Sequence, residues 1–559
     1  MTGFEHTGEP ANDELLFVSL GGAGEIGMNL NLFGHDGAWL MVDLGITFGD
    51  EDTPGVDVIM PDPTFIEERS DTLAGLVLTH AHEDHLGAVP YLWKRLRCPI
   101  YATPFTASIL RRKLAESNLL KEAVITEIPL SGRFDVGPFN IELITLTHSI
   151  PEPNACVIRT SAGTVMHTGD WKLDPDPMVG PTTDEAALIR VGEEGVLAMT
   201  CDSTNVFVAG HSGSEGDVRD SLEKLVSRFD NRVVIACFAS NIARLESAAY
   251  AGLANDRSVA LVGRSLWRFY EAAQENGYLT DVPRFLSPRE AADVPRDKIL
   301  LICTGSQGEP RSALGRIARG DHPDVFLDPG DAVIFSSRVI PGNEKSINRL
   351  QNRLAGKDVE LVTSNDDANI HVSGHPARDE LSQMYQWIRP KIAVPVHGEL
   401  RHLQAHADLA LKCQVPEAFV APNGTVLRLA PGEAAVIDEV FSGKLALDGN
   451  RLISLGSGVM RERRGLVING TAVVTLVVDR NGALQTDPQI STQGVFDKDV
   501  DQDIANGMID AVIDALEDMP AKSRRTDDAV RDAVRIGLRR WLRAICGKRP
   551  KTEIHLVRV

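Results

Sequence analysis

Residues 80–85 read His80-Ala81-His82-Glu83-Asp84-His85, and they follow directly on the apolar run 73–79. Four side chains of metal-ligand type within six residues, set where a buried strand ends, can converge on a small volume. Imidazole and carboxylate are the donors a borderline divalent ion such as zinc prefers. A loop of this length lets His80 and His82 face one ion while Asp84 and His85 face a second. A single His-x-His would read as a polar surface turn; the longer motif behind a buried strand is far more specific. The chain is thereby expected to build a hydrolytic metal site at a sheet edge.

Six residues leave two ions short of ligands, so other strand ends must supply the rest. His148, Asp170 and His397 each follow an apolar run, in Thr147-His148-Ser149-Ile150, His167-Thr168-Gly169-Asp170 and Pro395-Val396-His397-Gly398-Glu399. Asp170 can bridge both ions, because a carboxylate carries two oxygens. Asp43, closing the run 39–42, suits a carboxylate that fixes a ligand histidine from behind. His167 is read as a packed or capping histidine.

A rival motif is set aside. Gly22-Ala23-Gly24-Glu25-Ile26-Gly27 satisfies GxGxxG after a strand, with Asp43 at about the acidic position of a dinucleotide fold. That fingerprint needs a helix N-terminus straight after the glycines to hold pyrophosphate. Here residues 28–33 alternate and then turn at His35-Asp36-Gly37 into another strand. The glycines are read as a strand-to-strand turn near the active site.

A chain of 559 residues exceeds one core. Strands are expected at 15–20, 29–33, 39–42, 73–79, 141–146, 156–160, 164–168 and 195–200, with helices at 86–96 and 104–116. From about 211 helix and strand alternate: helices at 218–229 and 242–254, strands at 232–238, 259–262, 298–303 and 331–335. This reads as a separate parallel α/β unit. Strands at 358–363 and 392–396 then lead into histidine-bearing loops. A third region from near 449 shows strands at 465–468 and 472–478, amphipathic helices around 498–518 and 526–546, and a last strand at 553–558. Pro431-Gly432 and the Asp448-Gly449 turn are the expected boundary marks.

Seven dispersed cysteines without a CxxC pair read as reduced, mostly buried thiols. No run approaches the ~20 apolar residues of a membrane span, and the polar start, 1–14, lacks the pattern of a signal peptide. A cytoplasmic location is expected. A net charge of −21 argues against non-specific coating of nucleic acid. The basic tail from Lys522 to Lys551 serves RNA contact or, equally, a helix face in an oligomer.

The order HxHxDH, His148, Asp170 resembles the metallo-β-lactamase superfamily. Asp202-Ser203-Thr204-Asn205, His371-Val372-Ser373-Gly374-His375 and Pro395-Val396-His397-Gly398-Glu399 resemble the A, B and C motifs of its β-CASP nucleases. Phe238-Ala239-Ser240-Asn241, residues 304–310 and residues 341–344 are similar to the ribonuclease J family. The resemblance implies an αββα sandwich at 1–210 and 366–447, an inserted β-CASP α/β domain at 211–365, and a small C-terminal α/β domain at 448–559.

It also implies roles. His80, His82, His148 and Asp170 hold one divalent ion, while Asp84, His85, Asp170 and His397 hold the other. Zinc is the expected metal, with manganese or magnesium as alternatives. His375 is the general acid, oriented by Asp202, and Asp84 counts with the catalytic carboxylates. Ser240, Asn241, His371, Val372, Ser373 and Gly374, with His375, grip the RNA backbone or a 5′-phosphate. The implied activity is 5′→3′ exonucleolysis from 5′-monophosphate ends with some internal cleavage, in mRNA decay and rRNA 5′-end maturation. A homodimer or homotetramer, RNA-decay or ribosome-associated partners, and no membrane are expected. Pro376 and Arg311 depart from the family pattern. The rivals are a DNA-processing β-CASP nuclease, a small-molecule hydrolase and a non-catalytic RNA-binding scaffold. His397 at motif C disfavours the first, the inserted domain the second, and the complete ligand set the third.

Overall fold

The architecture is described from a computed structural model covering residues 9–340, 342–497 and 499–559. The chain divides into two compact units, one of residues 9–47 and 59–443 and one of 48–58 and 444–559.

Two sheets dominate the first unit. One runs, in spatial order, Ala435–Glu439, Thr425–Ala430, Leu15–Gly21, Leu30–His35, Ala38–Val42, Leu73–Val77, Ile100–Ala102 and Ile125–Glu127. The other runs Arg133–Val136, Phe139–Thr145, Asn154–Thr160, Gly163–His167, Ala198–Asp202, Ile392–Val396 and Glu417–Ala418. Side chains alternate across a strand with period two, and here that alternation separates two cores. Leu143, Cys156, Ile158, Val165, Ala198, Ile392 and Val394 face Leu15, Phe17, Phe33, Leu40, Val42 and Val77 of the first sheet. Their chain neighbours Ile144, Ala155, Val157, Met166, Met199 and Ala393 face Leu188, Leu381, Met384 and Ala410 on the helices Glu185–Glu194, Arg378–Ile388 and Leu400–Lys412. Burial on both faces explains why these strands read as near-continuous apolar runs. The arrangement is the expected αββα sandwich.

The strands Gly163–His167, Ala198–Asp202 and Ile392–Val396 are parallel, as are Ala38–Val42 and Leu73–Val77. Parallel pairing brings their C-terminal ends to a common edge, where the 80–85 motif, Asp170 and His397 follow; His148 follows Phe139–Thr145, which runs the same way through two antiparallel pairings.

Between the strands Ala198–Asp202 and Ile392–Val396 the chain builds an all-parallel five-stranded sheet in the order Ser258–Val262, Ile299–Cys303, Val233–Ala236, Ala332–Phe335 and Glu360–Val362. The second unit packs the helices Gln502–Glu517 and Asp527–Cys546 on the sheet Gln489–Gln493, Thr471–Val478, Lys551–Arg558, around Val474, Leu476, Val512, Val534 and Leu538.

Some expectations are corrected. Residues 465–468 lie in a helix, Gly458–Asn469, not a strand. Ser457 caps it by accepting the Met460 N–H, and Val467 and Ile468 stay 72% exposed, so no sheet competes for their β-branched side chains. The helix expected over 86–96 is two, Glu83–Leu86 and Val89–Leu96. Pro90 has no N–H to give the Leu86 carbonyl, so the ladder breaks there. Pro431-Gly432 turns a hairpin within the first sheet, and the two units part at Gly443. Residues 48–58 belong with the C-terminal unit, which no composition shift signals. Residues 1–8, Pro341 and Lys498 fall outside the described residues.

Candidate metal centre

Three loops at the common edge carry most of the centre. Asp43 leaves the Ala38–Val42 strand at φ +64°, and His397 leaves Ile392–Val396 at φ +52°. A left-handed backbone costs a side-chain-bearing residue about 1–2 kcal/mol. In both places the turn aims a polar group back over the strand ends rather than onward.

His80, His82 and His148 converge. His80 Nε2 lies 3.1 Å from His82 Nδ1, and His148 Nε2 lies 3.1 Å from the same atom. Asp170 Oδ2 closes the group at 4.0 Å from His80 Nε2 and 3.9 Å from His148 Nε2. A second group shares that aspartate: His85 Nε2 is 3.2 Å from Asp170 Oδ2, and His397 Nε2 is 3.2 Å from Asp84 Oδ2. Asp170, Asp202, His375 and His397 form a third, overlapping group.

Hydrogen bonds fix which ring nitrogen faces the centre. The Thr79 hydroxyl donates to Asp43 at 2.8 Å, so it accepts from His80 Nδ1 at 3.0 Å, leaving Nε2 without a proton. His85 Nδ1 donates to Asp43 at 2.7 Å, and His148 Nδ1 donates to the Gly374 carbonyl. Thr204 donates to Asp202 at 2.7 Å and accepts from His397 Nδ1 at 2.8 Å. In these four rings Nδ1 is committed to its partner, so Nε2 faces the centre, as in backed metal-binding histidines.

The donor set fits divalent ions. Metal–nitrogen bonds of ~2.0–2.1 Å in tetrahedral array set neighbouring ligand atoms about 3.3 Å apart. The 3.1 Å imidazole spacings lie close to that, while the Asp170 spacings in the first group are wider. Asp170 Oδ1 is buried and accepts no hydrogen bond among the described residues. A buried carboxylate oxygen without a donor is costly, and a cation would satisfy it.

The two groups differ electrically. Burial, with the neighbouring rings of His85 and His82, holds His80 far below the usual imidazole range; burial brings His82 down to about 4 and, with His82, lowers His148. Burial opposes charge on His85 and His397 too. There the carboxylates prevail: Asp170, Asp84 and Asp43 lift His85 well up, and Asp170, Asp202 and Asp84 lift His397 to about 10. Burial opposes ionisation of Asp170, but the His397, His85 and His375 rings hold its carboxyl well below the carboxylate range.

His375 stacks on His397 with ring centroids 5.5 Å apart, and its Nδ1 donates to Asp202 Oδ2 at 2.8 Å. Its Nε2 is left to act. Burial disfavours its protonation, yet Asp202 and Asp170 raise its pKa above the ordinary value.

The remaining candidates divide. Ser373 accepts from Asn205 Nδ2 at 2.7 Å and from the His375 N–H, so it shapes the loop that carries His375. Gly374 lies against His148: a Cβ there would meet the ring at 2.5 Å. Val372 packs over Gly213. His371 Nδ1 faces the Arg244 guanidinium at 3.3 Å; arginine only donates, so the His371 proton sits on Nε2. Arg244 is itself fully buried, paired with Glu215 at 3.0 Å and bonded to Ser336 and the Ile370 carbonyl. Asn241 caps the helix Ile242–Ala254 by accepting the Arg244 N–H at 2.8 Å, and Ser240 lies in the preceding turn. Neither belongs to the ligand groups. His167 is buried and bonded to Thr200, as read from sequence. The glycine-rich turn lies at the centre, where the Gly27 N–H points at His397 Nε2, 3.3 Å away, and no helix follows it.

Thr79, Thr204 and Asn205 are working residues that sequence reasoning did not single out. Thr204 stands two places after Asp202, the spacing at which an aspartate accepts from its own turn, and its N–H does so.

Comparison with known proteins yields four family matches. They are "Ribonuclease J, beta-CASP domain" at residues 230–354, "Ribonuclease J C-terminal domain" at 458–559, "Beta-lactamase superfamily domain" at 53–193, and "Zn-dependent metallo-hydrolase RNA specificity domain" at 368–416. The chain is 44% identical to Ribonuclease J of Sinorhizobium meliloti, over 98% of both chains. It is 41% identical to Ribonuclease J of Corynebacterium glutamicum over 87% of this chain and 68% of that one. It is 38% identical to Ribonuclease J 1 of Streptococcus pyogenes over 86% of each. A crystal structure of a protein of unknown function from Enterococcus faecalis shares the fold at TM-score 0.52 and 16% identity, covering 76% of this chain and all of that one.

Proposed function

The chain belongs to the ribonuclease J family, and from that premise we propose that it hydrolyses RNA phosphodiesters with two divalent ions, 5′→3′ from 5′-monophosphate ends, with internal cleavage as a second mode. The observation that carries the reading is Asp170, shared between two groups of inward-facing imidazole nitrogens beside a histidine poised as acid.

His80, His82, His148 and Asp170 would hold one ion, and Asp84, His85, Asp170 and His397 the other. When bound, such ions acidify water and neutralise charge building on the phosphate oxygens. Zinc matches the donor set, with manganese or magnesium as alternatives. His375 would give its Nε2 proton to the departing 3′-oxygen as the P–O3′ bond breaks, leaving a 5′-phosphate on the downstream product. Asp202 orients the ring and sustains its charged form. Asp43 steadies both groups, through Thr79 to His80 and directly to His85.

His371, Ser373 and Gly374 line the loop entering the site. Of the proposed substrate contacts, the Nε2–H of His371 is the group best suited to a phosphate oxygen. Ser240 and Asn241 are weaker candidates, since Asn241 is committed as a helix cap. Domains at 1–210 with 366–447, 211–365 and 448–559 are our division along the chain, with residues 48–58 and 444–447 grouped with the last. Action in mRNA decay and rRNA maturation, in the cytoplasm and as a dimer or tetramer, is part of the same proposal.

The test uses 5′-labelled RNAs ending in monophosphate or triphosphate, incubated with manganese, magnesium or zinc. Labelled mononucleotide released from the monophosphate RNA alone is the expected result. Internal fragments only, or equal attack on matched DNA, would refute the exoribonuclease reading.

A further inference from the structure

Phe207 stands two residues beyond Asn205, the residue that bonds both Ser373 and the His375 carbonyl at the centre. A phenylalanine on the surface usually finds cover or carries no consequence. This one remains 49% exposed, and its backbone is held from both sides. The Val208 N–H bonds the Asn205 carbonyl at 2.8 Å, the Arg378 side chain donates twice to the Val206 carbonyl, and the Arg378 N–H bonds the Val208 carbonyl at 2.9 Å. Val206 is buried, so the turn cannot roll over and hide the ring.

Two groups that follow the metal-centre residue His397 flank it. The His402 ring lies 5.0 Å from the Phe207 ring at a tilt of 58°, and the Arg401 guanidinium lies 5.5 Å from its centroid. Arg401 is tethered to Glu399 at 3.2 Å with its side chain 70% exposed. An exposed aromatic ring, fixed in place beside a solvent-exposed guanidinium and two residues from the asparagine that holds the His375 loop, has the composition of a single-strand stacking platform. The ring offers a face to any base, and the cation offers charge to the adjoining phosphate.

We propose that Phe207, with Arg401, forms a nucleobase-stacking subsite for single-stranded RNA threading to the metal centre. The inference rests on the ribonuclease reading and goes beyond it by assigning a sequence-tolerant base contact. A ring already held in position loses little freedom on binding, so most of the stacking energy would appear as affinity.

The test measures RNA binding by fluorescence anisotropy with the full chain in excess chelator, so that no cleavage intervenes. Wild type, Phe207→Leu and Phe207→Trp are compared on oligoribonucleotides carrying a single abasic position, scanned from the 5′ end. Leucine keeps apolar bulk without a π-face, and tryptophan restores one. Phe207→Leu is expected to weaken binding about 5- to 150-fold, with Phe207→Trp at or above wild-type affinity. The deficit should vanish when one particular base is missing. Leucine binding as tightly as phenylalanine, or an equal deficit at every abasic position, overturns the subsite and leaves Phe207 a packing residue. A wild-type chain that binds no RNA removes the ribonuclease reading and this inference together, and is told apart by the wild-type row alone.

Discussion

The two proposed ion groups are built from nearly the same parts and differ in protonation. Around His80, His82 and His148 there is one carboxylate for three rings, and burial keeps the rings neutral. Around His85 and His397 there are two carboxylates within the group and two more behind it, Asp43 and Asp202, and the rings are pushed to their protonated forms. The ratio of carboxylate to imidazole decides the difference, since both groups are equally dry. In the metal-free protein the first group is ready for a cation, while the second carries its own protons as stand-ins. Metal uptake at the second must expel them.

The largest effects come from breaking each group in turn. His82→Ala removes the nitrogen on which the first group converges and is expected to reduce cleavage to background, as is His397→Ala in the second. Metal content by elemental analysis should separate them, with each variant losing about one ion. Equal loss of both ions from either variant would show that the groups are one cooperative site. His375→Ala should leave metal content intact and lower kcat by about 10²- to 10⁴-fold; near-normal turnover in the folded variant refutes its role as acid.

A smaller effect sharpens the comparison. Among the proposed ion ligands Thr204 backs His397 alone, so Thr204→Val should weaken the second ion's affinity about 10- to 100-fold and spare the first. Competition with a chromophoric chelator reads both constants.

The pH dependence follows from the charges. His397 rests at about 10 without metal, so at neutral pH its ring is protonated, and each proton expelled makes second-ion affinity rise up to about tenfold per pH unit until that value is passed. His82, at about 4, has no proton to lose there, so first-ion affinity should stay nearly flat between pH 6 and 9 as far as that ring is concerned. Parallel slopes for the two ions would contradict the division. The least effect concerns Asp202→Asn. The Asp202 carboxylate helps raise His375, so its loss should bring the basic limb of the kcat profile to lower pH.

Much of this was legible in the chain. His80, His82, Asp84, His85, His148, Asp170 and His397 each follow an apolar run, and a strand end is where a sheet delivers polar groups. The strands themselves show because both faces are buried, which leaves no polar alternation to mislead. Illegible parts had local signals that pointed elsewhere. Gly465-Leu466-Val467-Ile468 has strand composition, yet the Ser457 cap and the helix-forming residues after it prevail where no sheet is at hand. Residues 48–58 join a unit that begins almost four hundred residues later, and no local pattern encodes a contact of that range.

The sequence alone determined the donor types, their order and their placement at strand ends, because these follow from hydrophobic periodicity and side-chain chemistry. Only the tertiary structure decided which nitrogen of each ring faces the centre, which group holds protons, and that Asn241 is a cap. Those depend on partners such as Thr79, Thr204 and Gly374, whose distances from the rings are set by the folding of remote segments onto one another. A hydrogen bond or a desolvated charge is decided over a few ångströms, and the chain order carries no such distances.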